Sequence, residues 1–504
     1  MAYSLLLVFL LPTLGVPFVY LTGKKSAKAA AIFVALLAII NIGLLLTTVP
    51  TIMDSPNHRY VEPYAWIPVL NSEFTLFADG ISVSMAIVTS ILIVVAALFS
   101  IKYMEGKKNL PVYYALLTLL SIGLVGVFIT SNLLLFYFCW ELMLVPAYFI
   151  VGNWGYRDSY KAAFKLFIFT HAGAVFVLLG IGAIYMVTGA TDMFTAQEAL
   201  MAVPETAKWI LLALTAGFAV KMAIVPLHMW LPDAHSEAPA TMSALLSGVI
   251  ISAGAYAILR LSLGTVFPAV AGTPVGFDFL HGLTIFGVIS AFFGSFIALV
   301  ETDIKRIIAY SSIAHMGYVM FGLSLFPSVP EVGGTIAITS AITGTVLHLI
   351  NHAVSKGLLF LSAGSVMHQT EKRDIREMGG LAGKMPFTAV SSAISALSIA
   401  GTPPFACFIS EFLIFVGAFE VINTDSFYLI PTVLMLIATV FSLAYSLRYI
   451  SRVFLGQPKN GGEKKVVDVP NWMKAAMAIL VVLVIILGIW PTFFVNLINT
   501  VSFV

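Results

Sequence analysis

The strongest constraint on how this 504-residue chain folds is a recurrence of uninterrupted apolar runs, each about as long as a bilayer is thick. A helix needs about 20 predominantly apolar residues to cross the hydrocarbon core. Fourteen such runs stand near 3–22, 28–49, 80–101, 112–129, 132–152, 162–187, 206–229, 241–262, 281–299, 304–325, 333–365, 385–422, 429–450 and 474–497. Joined by short loops they use nearly the whole chain and leave no room for a large soluble domain. With 60% hydrophobic and only 10% charged residues, the rest of the sequence cannot coat a soluble enzyme of this size. A transmembrane barrel is excluded because the runs are continuous and do not alternate every second residue. The predicted fold is an all-α polytopic membrane protein with about 14 transmembrane helices.

Charge placement tests that count independently, since basic residues gather in the loops on the inner side of a membrane. If the N-terminus is outside, the inner loops and helix ends receive Lys24, Lys25, Lys28, Lys102, Lys107, Lys108, Arg157, Lys161 and Lys165. They also receive Lys305, Arg306, Lys372, Arg373, Arg376, Lys384, Arg448, Arg452, Lys459, Lys464, Lys465 and Lys474, which makes 21 of the 26 basic residues. Only Arg59 and Lys208 fall in outer loops, and both termini are predicted on the outer side. The first run carries its basic flank after the apolar stretch, which reads as a retained span and not as a signal peptide. Dilute and balanced by 24 acidic residues, this charge offers no face to nucleic acid. Cys139 and Cys407 lie in apolar sequence and read as small buried hydrophobes, too few for a zinc or iron–sulfur cluster.

Two spans carry breakers. The seventh contains Pro226 before His228-Met229-Trp230-Leu231-Pro232-Asp233, and the twelfth contains Gly401-Thr402-Pro403-Pro404. Proline removes a backbone donor and clashes with the preceding turn, so helices 7 and 12 are predicted to be broken inside the bilayer. Exposed backbone there is tolerated only within protein or beside a hydrated cavity. The breaks are five helices apart, which suggests two inverted five-helix repeats of the kind found in transporters. The expected divisions are an N-terminal three-helix segment (1–110), a first repeat (111–262), a second repeat (263–455), and a final loop and helix (456–504).

A few ionisable residues fall within spans, where they are costly and must face the protein interior. Glu141 lies mid-span in FYFCWELMLVPAYF and has to pair, hydrogen-bond or titrate; a packing ion pair and a proton-transfer role both fit. Lys221 in AGFAVKMAIVPLHMW is its natural candidate partner, because a nearby acid favours the ammonium and burial disfavours it. In TVLHLINHAVSKGLLF, His348, His352 and Lys356 recur every fourth residue, so they stack on one helix face about 6 Å apart. Histidine titrates near neutrality and can pass a proton through either ring nitrogen. Zinc is a poorer reading, since no acid stands at a credible third position in that helix and Lys356 would repel the metal. Glu411 in ACFISEFLIF extends this line outward, and His315 in RIIAYSSIAHMGYVM adds another titratable group. Arg260 ends a span on the outer side, where it is expected to snorkel. His228, Asp233, His235 and Glu237 cluster after the first break, either as a proton-gathering group or as a structural loop. Asp303, Lys305 and Arg306 read as a polar helix entrance.

FYFCWELMLVPAYF, KMAIVPLHMWLPDAHSEAP, ETDIKRIIAYSSIAHMGY, HAVSKGLLFLSAG, KRDIREMGGLAGKMP and TPPFACFISEFLIF together resemble the proton-pumping, antiporter-like subunits of respiratory complex I. The resemblance covers nearly the whole chain and lies within the wider complex I and cation/proton antiporter superfamily. Glu411 in the last string favours the M type. The resemblance implies that Glu141 and Lys221 form a channel pair, that His348, His352 and Lys356 belong to a central hydrophilic axis with His315, and that Glu411 is the terminal acid. It further implies a membrane translocase assembled with other antiporter-like subunits and a redox module. Flavin, iron–sulfur clusters and quinone would then sit in partner subunits, with no cofactor or metal in this chain. Proton and sodium both remain open as the transported ion, and a membrane-bound hydrogenase subunit or a non-transporting scaffold are the other readings. One departure stands out: where the family usually carries a lysine in the eighth span, SGVIISAGAYAILR has Ser252, which can help hold water but supplies no charge.

Overall fold

The computed structural model describes residues 3–327, 336–337, 339–457 and 466–503. Helices α1 (Ser4–Lys25) and α2 (Ala27–Asp54) are joined by Ser26, whose hydroxyl caps α2 by accepting from the Ala29 amide. The segment that follows holds an element the apolar pattern did not signal, an antiparallel hairpin of β1 (Tyr60–Ile67) and β2 (Ser72–Ala78) in register from Tyr60↔Ala78 to Ile67↔Ser72. Its reason is electrostatic. Glu62 is buried and accepts from the Leu5 and Leu6 amides at 3.0 and 2.9 Å and from the Tyr60 and Tyr64 hydroxyls at 2.8 and 2.9 Å. A carboxylate placed on free amides at a helix N-terminus is stabilised by them, so the hairpin pins the start of α1.

The chain continues through α3 (Gly80–Tyr103), α4 (Leu110–Phe128), α5 (Leu133–Leu142), α6 (Leu144–Trp154), α7 (Ser159–Thr188), the short α8 (Met193–Leu200) and α9 (Pro204–Met222). Helix α9 stops at Ala223, which adopts a left-handed conformation (φ 60°), so the seventh span breaks slightly before Pro226. After α10 (Leu231–Glu237), α11 (Ala240–Leu245) and α12 (Ile251–Ala257) lie within one span, Ala240–Ala269, whose turns widen to the π form at Leu246–Ile250 and Ile258–Val266.

The second half comprises α13 (Pro274–Val300), α14 (Ile304–Ser324), β3 (Ile336–Ala337), α15 (Ser340–Thr370), α16 (Pro386–Ile399), α17 (Ala406–Ile422) and α18 (Leu429–Phe454). Then come α19 (Asn471–Ile489), α20 (Thr492–Ile498) and β4 (Ser502–Phe503), which pairs with β3. The expected twelfth span is therefore two helices, α16 and α17, with Gly401-Thr402-Pro403-Pro404 between them. Val225–Pro226 and Pro403–Pro404 are both cis. The predicted start of the eleventh span at 333, like Lys459, Lys464 and Lys465, lies outside the described residues.

Among the described residues, twelve helical stretches are long and apolar enough to cross a bilayer, and α9 and the α16–α17 pair stand where the seventh and twelfth spans are expected. Their order in space follows polarity. The most apolar window is wholly buried in α15 and in Ala240–Ala269, but only 28% buried in α1 and α18. Helix α15 carries His348, Asn351, His352 and Lys356, which hydrocarbon cannot solvate, so it takes the centre.

Candidate functional site

In the first half, the break at Met143 leaves Glu141 in the last turn of α5, and the break at Ala223 leaves Lys221 in the last turn of α9. Helix ends place both side chains beside unsatisfied backbone. Lys221 Nζ donates to the Trp140 carbonyl at 3.0 Å and lies 3.9 Å from the centre of the Trp140 ring, a carbonyl contact and a cation–π contact at once. Glu141 faces the other way: its Oε2 accepts from His171 Nδ1 at 3.2 Å, and its buried Oε1 has no hydrogen-bond partner among the described residues. The expected Glu141–Lys221 pair thus comes together as neighbours but not as an ion pair. His171 was not singled out from the sequence, although a histidine in the apolar run of α7 is itself a signal. Its side chain is 49% exposed on the outer surface of α7.

The second half assembles the expected residues more tightly. His315 of α14 and His348 of α15 bring Nδ1 and Nε2 to 3.2 Å, so one ring holds the shared proton and the other accepts it. His315 Nε2 reaches the Tyr445 hydroxyl at 3.2 Å, and His348 Nδ1 reaches Ser410 Oγ at 3.0 Å. Glu411 of α17 is 7% exposed, with Oε1 3.9 Å from His315 Nδ1. Lys356 donates to Ser311 Oγ and to the Ile308 carbonyl at 3.3 Å. His352, fully buried, stands with its ring centre 5.6 Å from that of His315 and 6.2 Å from that of His348, and neither of its nitrogens has a hydrogen-bond partner among the described residues.

The break between α16 and α17 supports this group. Gly401 sits at φ +64°, and a Cβ there would lie 2.3 Å from Glu411 Oε2. Only glycine combines that backbone with so close an approach. Asn351 donates to the Ala406 carbonyl at 2.7 Å and satisfies the backbone that the break exposes.

His315, His348 and Glu411 hold one ligand atom each within 4.8 Å of one another. The sequence argument against a metal looked only along α15, whereas a third donor comes from α17. The 3.2 Å contact between the two imidazoles is already a hydrogen bond, and Lys356 adds positive charge on the same helix face.

One sequence reading is corrected. Arg260 does not snorkel: it is 3% exposed and both Asp79 oxygens, themselves 1% exposed at the head of α3, accept from its Nη2. The hairpin and the C-terminal β4 cover that end of the span, with the Phe503 ring centre 5.7 Å from the guanidinium, so its head has a protein partner in place of water. Ser252 spends its hydroxyl on its own helix, donating to the Gly248 carbonyl at 2.9 Å.

At the end of the bundle that carries the basic loops, Asp233 accepts from Lys165 at 2.7 Å and Arg306 at 2.8 Å, and Arg373 bridges Glu237 at 3.0 Å and Asp303 at 2.7 Å. Burial alone would raise the Asp233 carboxyl, but the hydrogen bonds from Lys165 and Arg306 hold it below the usual carboxylate range. Asp233 and Glu237 therefore clasp helix ends together, which answers the question the sequence left open for these two residues.

Buried, mutually hydrogen-bonded titratable groups beside broken helices at the middle of a bundle are the kind of site that membrane ion-translocating proteins carry. The chain matches the family "NADH:quinone oxidoreductase/Mrp antiporter, TM" over residues 130–442 and belongs to that family. It is 32% identical over 495 residues to NADH-quinone oxidoreductase subunit M of Rickettsia conorii (strain ATCC VR-613 / Malish 7), covering 96% of this chain and 95% of the relative. To NADH-quinone oxidoreductase subunit M of Escherichia coli (strain K12) it is 35% identical over 437 residues, 84% of this chain and 81% of the relative. Among solved structures it resembles a chain of the membrane-bound sulfane sulfur reductase, an archaeal respiratory membrane complex, with TM-score 0.83 and 26% identity over 98% of this chain and 77% of the other. The fold is also that of a chain of respiratory complex I from Thermus thermophilus (TM-score 0.82, 23% identity, 98% of each chain). A chain of the Mrp complex from Dietzia sp. DQ12-45-1b shares it too (TM-score 0.83, 21% identity, 99% of this chain and 97% of the other).

Proposed function

We propose that this chain is the M-type, proton-translocating membrane subunit of a complex I-like NADH:quinone, or related donor:quinone, oxidoreductase. The observation that carries the reading is the buried line Glu411–His315–His348, with His352 and Lys356 beside it. A protein that merely holds an enzyme in the membrane has no use for a carboxylate, three imidazoles and an ammonium sealed inside a bundle, because each is costly there. Proton transfer uses all of them. His315 and His348 share one proton along their 3.2 Å contact, and Glu411 accepts or releases it at the far end. Lys356 sets the direction, since its charge when present repels a proton from the histidines towards the acid, and its loss lets the histidines take a proton up.

In the first half, Glu141 has two neighbours it can serve, His171 at the lateral surface and Lys221 inside. A charge arriving from an adjacent membrane subunit shifts Glu141 between them and so changes the proton affinity of Lys221. The partners are other antiporter-like subunits and a redox module, with flavin, iron–sulfur clusters and quinone held there. The membrane is an energy-transducing one, in bacteria the cell (inner) membrane, with both termini outside as the basic inner loops indicate. The two breaks, each beside its own acid or lysine, support inverted repeats spanning 111–262 and 263–455.

The likeness to the Mrp chain supports a second reading, a subunit of a multisubunit cation/proton antiporter. Native mass spectrometry of the complex purified through this subunit separates the two. Iron–sulfur and quinone-site proteins are expected to co-purify, and Glu411→Gln is expected to lower the protons moved per electron in proteoliposomes. A complex of small membrane subunits alone would overturn the redox assignment and make the antiporter primary.

A further inference from the structure

No charged side chain on the Ala240–Ala269 span stands between Lys221 and Lys356: Arg260 is tied to Asp79 at the far end, and Ser252 is bonded to its own helix. Yet two fully buried groups near the inner side have no role so far, Lys305 and His235. Lys305, at the start of α14, is 0% exposed and makes no ion pair among the described residues. Its Nζ donates only to the Ala238 carbonyl at 2.5 Å and the Ser236 carbonyl at 3.4 Å. His235 is also 0% exposed, stacks on Phe360 with ring centres 4.9 Å apart, and has no hydrogen-bond partner on either nitrogen among the described residues. Lys305 rests on the carbonyls one and three residues after His235, and the Phe360 ring that His235 stacks on is one turn of α15 beyond Lys356 and two beyond His352. A buried polar atom left unpaired is costly. Four such nitrogens on two neighbouring imidazoles are a lining suited to water.

The other end of this line opens outward. A cavity of about 810 Å³ on the inner face is lined by Tyr103, Tyr156, Arg157, His368 and Arg373 among others. Its wall is a pair of tyrosines whose hydroxyls meet at 2.5 Å, with Tyr103 Oη also accepting from the Ala240 amide. The Tyr156 ring centre is 5.6 Å from the Arg373 guanidinium, which lines the cavity, and 5.2 Å from Lys305 Nζ, which does not. One aromatic ring separates the aqueous cavity from the buried ammonium.

We infer that the second half takes up its protons directly from the inner aqueous side, from this cavity past Tyr103 and Tyr156 to Lys305, then His235, then His352 and Lys356. The inference rests on the reading of the chain as a proton translocator. Each hop moves one proton: the Lys305 ammonium gives one to a His235 nitrogen, His235 releases its other N–H proton to His352, and neutral Lys305 is reprotonated from cavity water through the tyrosine hydroxyls. Lys305 and His235 regain their starting charge, the delivered proton passes from His352 to neutral Lys356 and carries its charge onward, and neither Lys221 nor Ser252 is on the route.

The test uses the intact complex in proteoliposomes, with protons moved per electron as the readout. Arginine in place of lysine retains the positive charge and the carbonyl contacts but cannot release a proton. A merely structural Lys305 therefore tolerates Lys305→Arg, whereas a proton carrier does not. Lys305→Arg and His235→Gln are expected to lower the ratio as far as Glu411→Gln does, and Ser252→Ala to leave it at the wild-type value. If Glu411→Gln lowers the ratio while Lys305→Arg and His235→Gln do not, the entrance falls and the translocator reading stands. If none of them lowers it, the reading itself falls. Loss equal to Glu411→Gln in Ser252→Ala would also overturn the separate entrance. Should either variant fail to assemble, His235→Cys in a background without Cys139 and Cys407 decides: silver ions added from the inner side should titrate the new thiol in the native complex, and protection until denaturation would overturn the route.

Discussion

Replacing Asp79 by Asn should destabilise the subunit by about 3–5 kcal/mol, the penalty for breaking a buried ion pair from one side. The size follows from the geometry. Both side chains are nearly sealed, at 1% and 3% exposure; both Asp79 oxygens accept from Arg260, and Arg260 Nε already lacks a hydrogen-bond partner among the described residues. Asp79 also caps α3, accepting from the Ile81 and Ser82 amides at 3.1 and 2.9 Å. Asn is as good a cap as Asp, so Asp79→Asn isolates the stranded charge. Asp79→Ala should lose about 1 kcal/mol more with the cap. Combining Asp79→Asn with Arg260→Met should recover most of the loss, because apolar replacement of a whole buried pair is often close to neutral.

The assay is the lifetime of the purified complex in detergent at one elevated temperature, read as the intact band on a native gel. If the pair holds until the unfolding barrier, about 3 kcal/mol shortens that lifetime by about 150-fold. Complexes that survive should pump with an unchanged proton-to-electron ratio, since the pair lies off the proposed path. A coupling in the double-mutant cycle below about 1 kcal/mol would refute the reasoning, because it would mean that the guanidinium reaches water.

Gly401→Ala should leave the complex assembled but lower proton translocation in proteoliposomes. A left-handed alanine costs about 1–2 kcal/mol, and its Cβ would press on Glu411 from 2.3 Å; wild-type pumping would remove Gly401 from the support of that acid. His171→Phe should release Glu141 towards Lys221, seen as a shifted carboxylate band in infrared difference spectra that is absent when Glu141→Gln is added. An unchanged spectrum would mean that the 3.2 Å contact does not hold the carboxylate. Asp233→Asn should lower the melting temperature by the same amount at every pH from about 5 to about 9. A carboxyl held below its ordinary value contributes stability above that value and loses it only as pH falls through the depressed one. A deficit that varies within that window would contradict the clasp.

How much of this could be read from the residues depended on whether a feature is local. The crossings, the charge alternation and both breaks were legible because each is decided within about 20 residues, by apolar length or by a proline. His348, His352 and Lys356 were legible as one face for the same reason, the period of a single helix. What required two distant segments was not. Arg260 looked like a snorkelling arginine until Asp79, 181 positions earlier, closed on it. The β1–β2 hairpin answers to amides at Leu5 and Leu6, and nothing within 60–78 announces that demand. Glu141 and Lys221 were placed in one neighbourhood correctly, but which atom each would face depended on His171 and on the Trp140 carbonyl.

Ser252 gains its meaning in the same way. Along the chain, the uncharged Ser252 is a gap in a succession of charges. Read in space, the gap stands beside a buried lysine and a buried histidine that reach the same centre from the inner surface. A proton needs a succession of groups within reach and water between them, whichever helices supply them. The charge absent from the eighth span is therefore matched by Lys305 on α14, whose ammonium rests on backbone carbonyls and not on a carboxylate. A lysine engaged with an acid would be held charged; one that only carbonyls hold in a buried site is left able to give its proton up. That difference in partner, more than position along the chain, is what equips Lys305 to carry a proton and Arg260, locked to Asp79, to hold the fold.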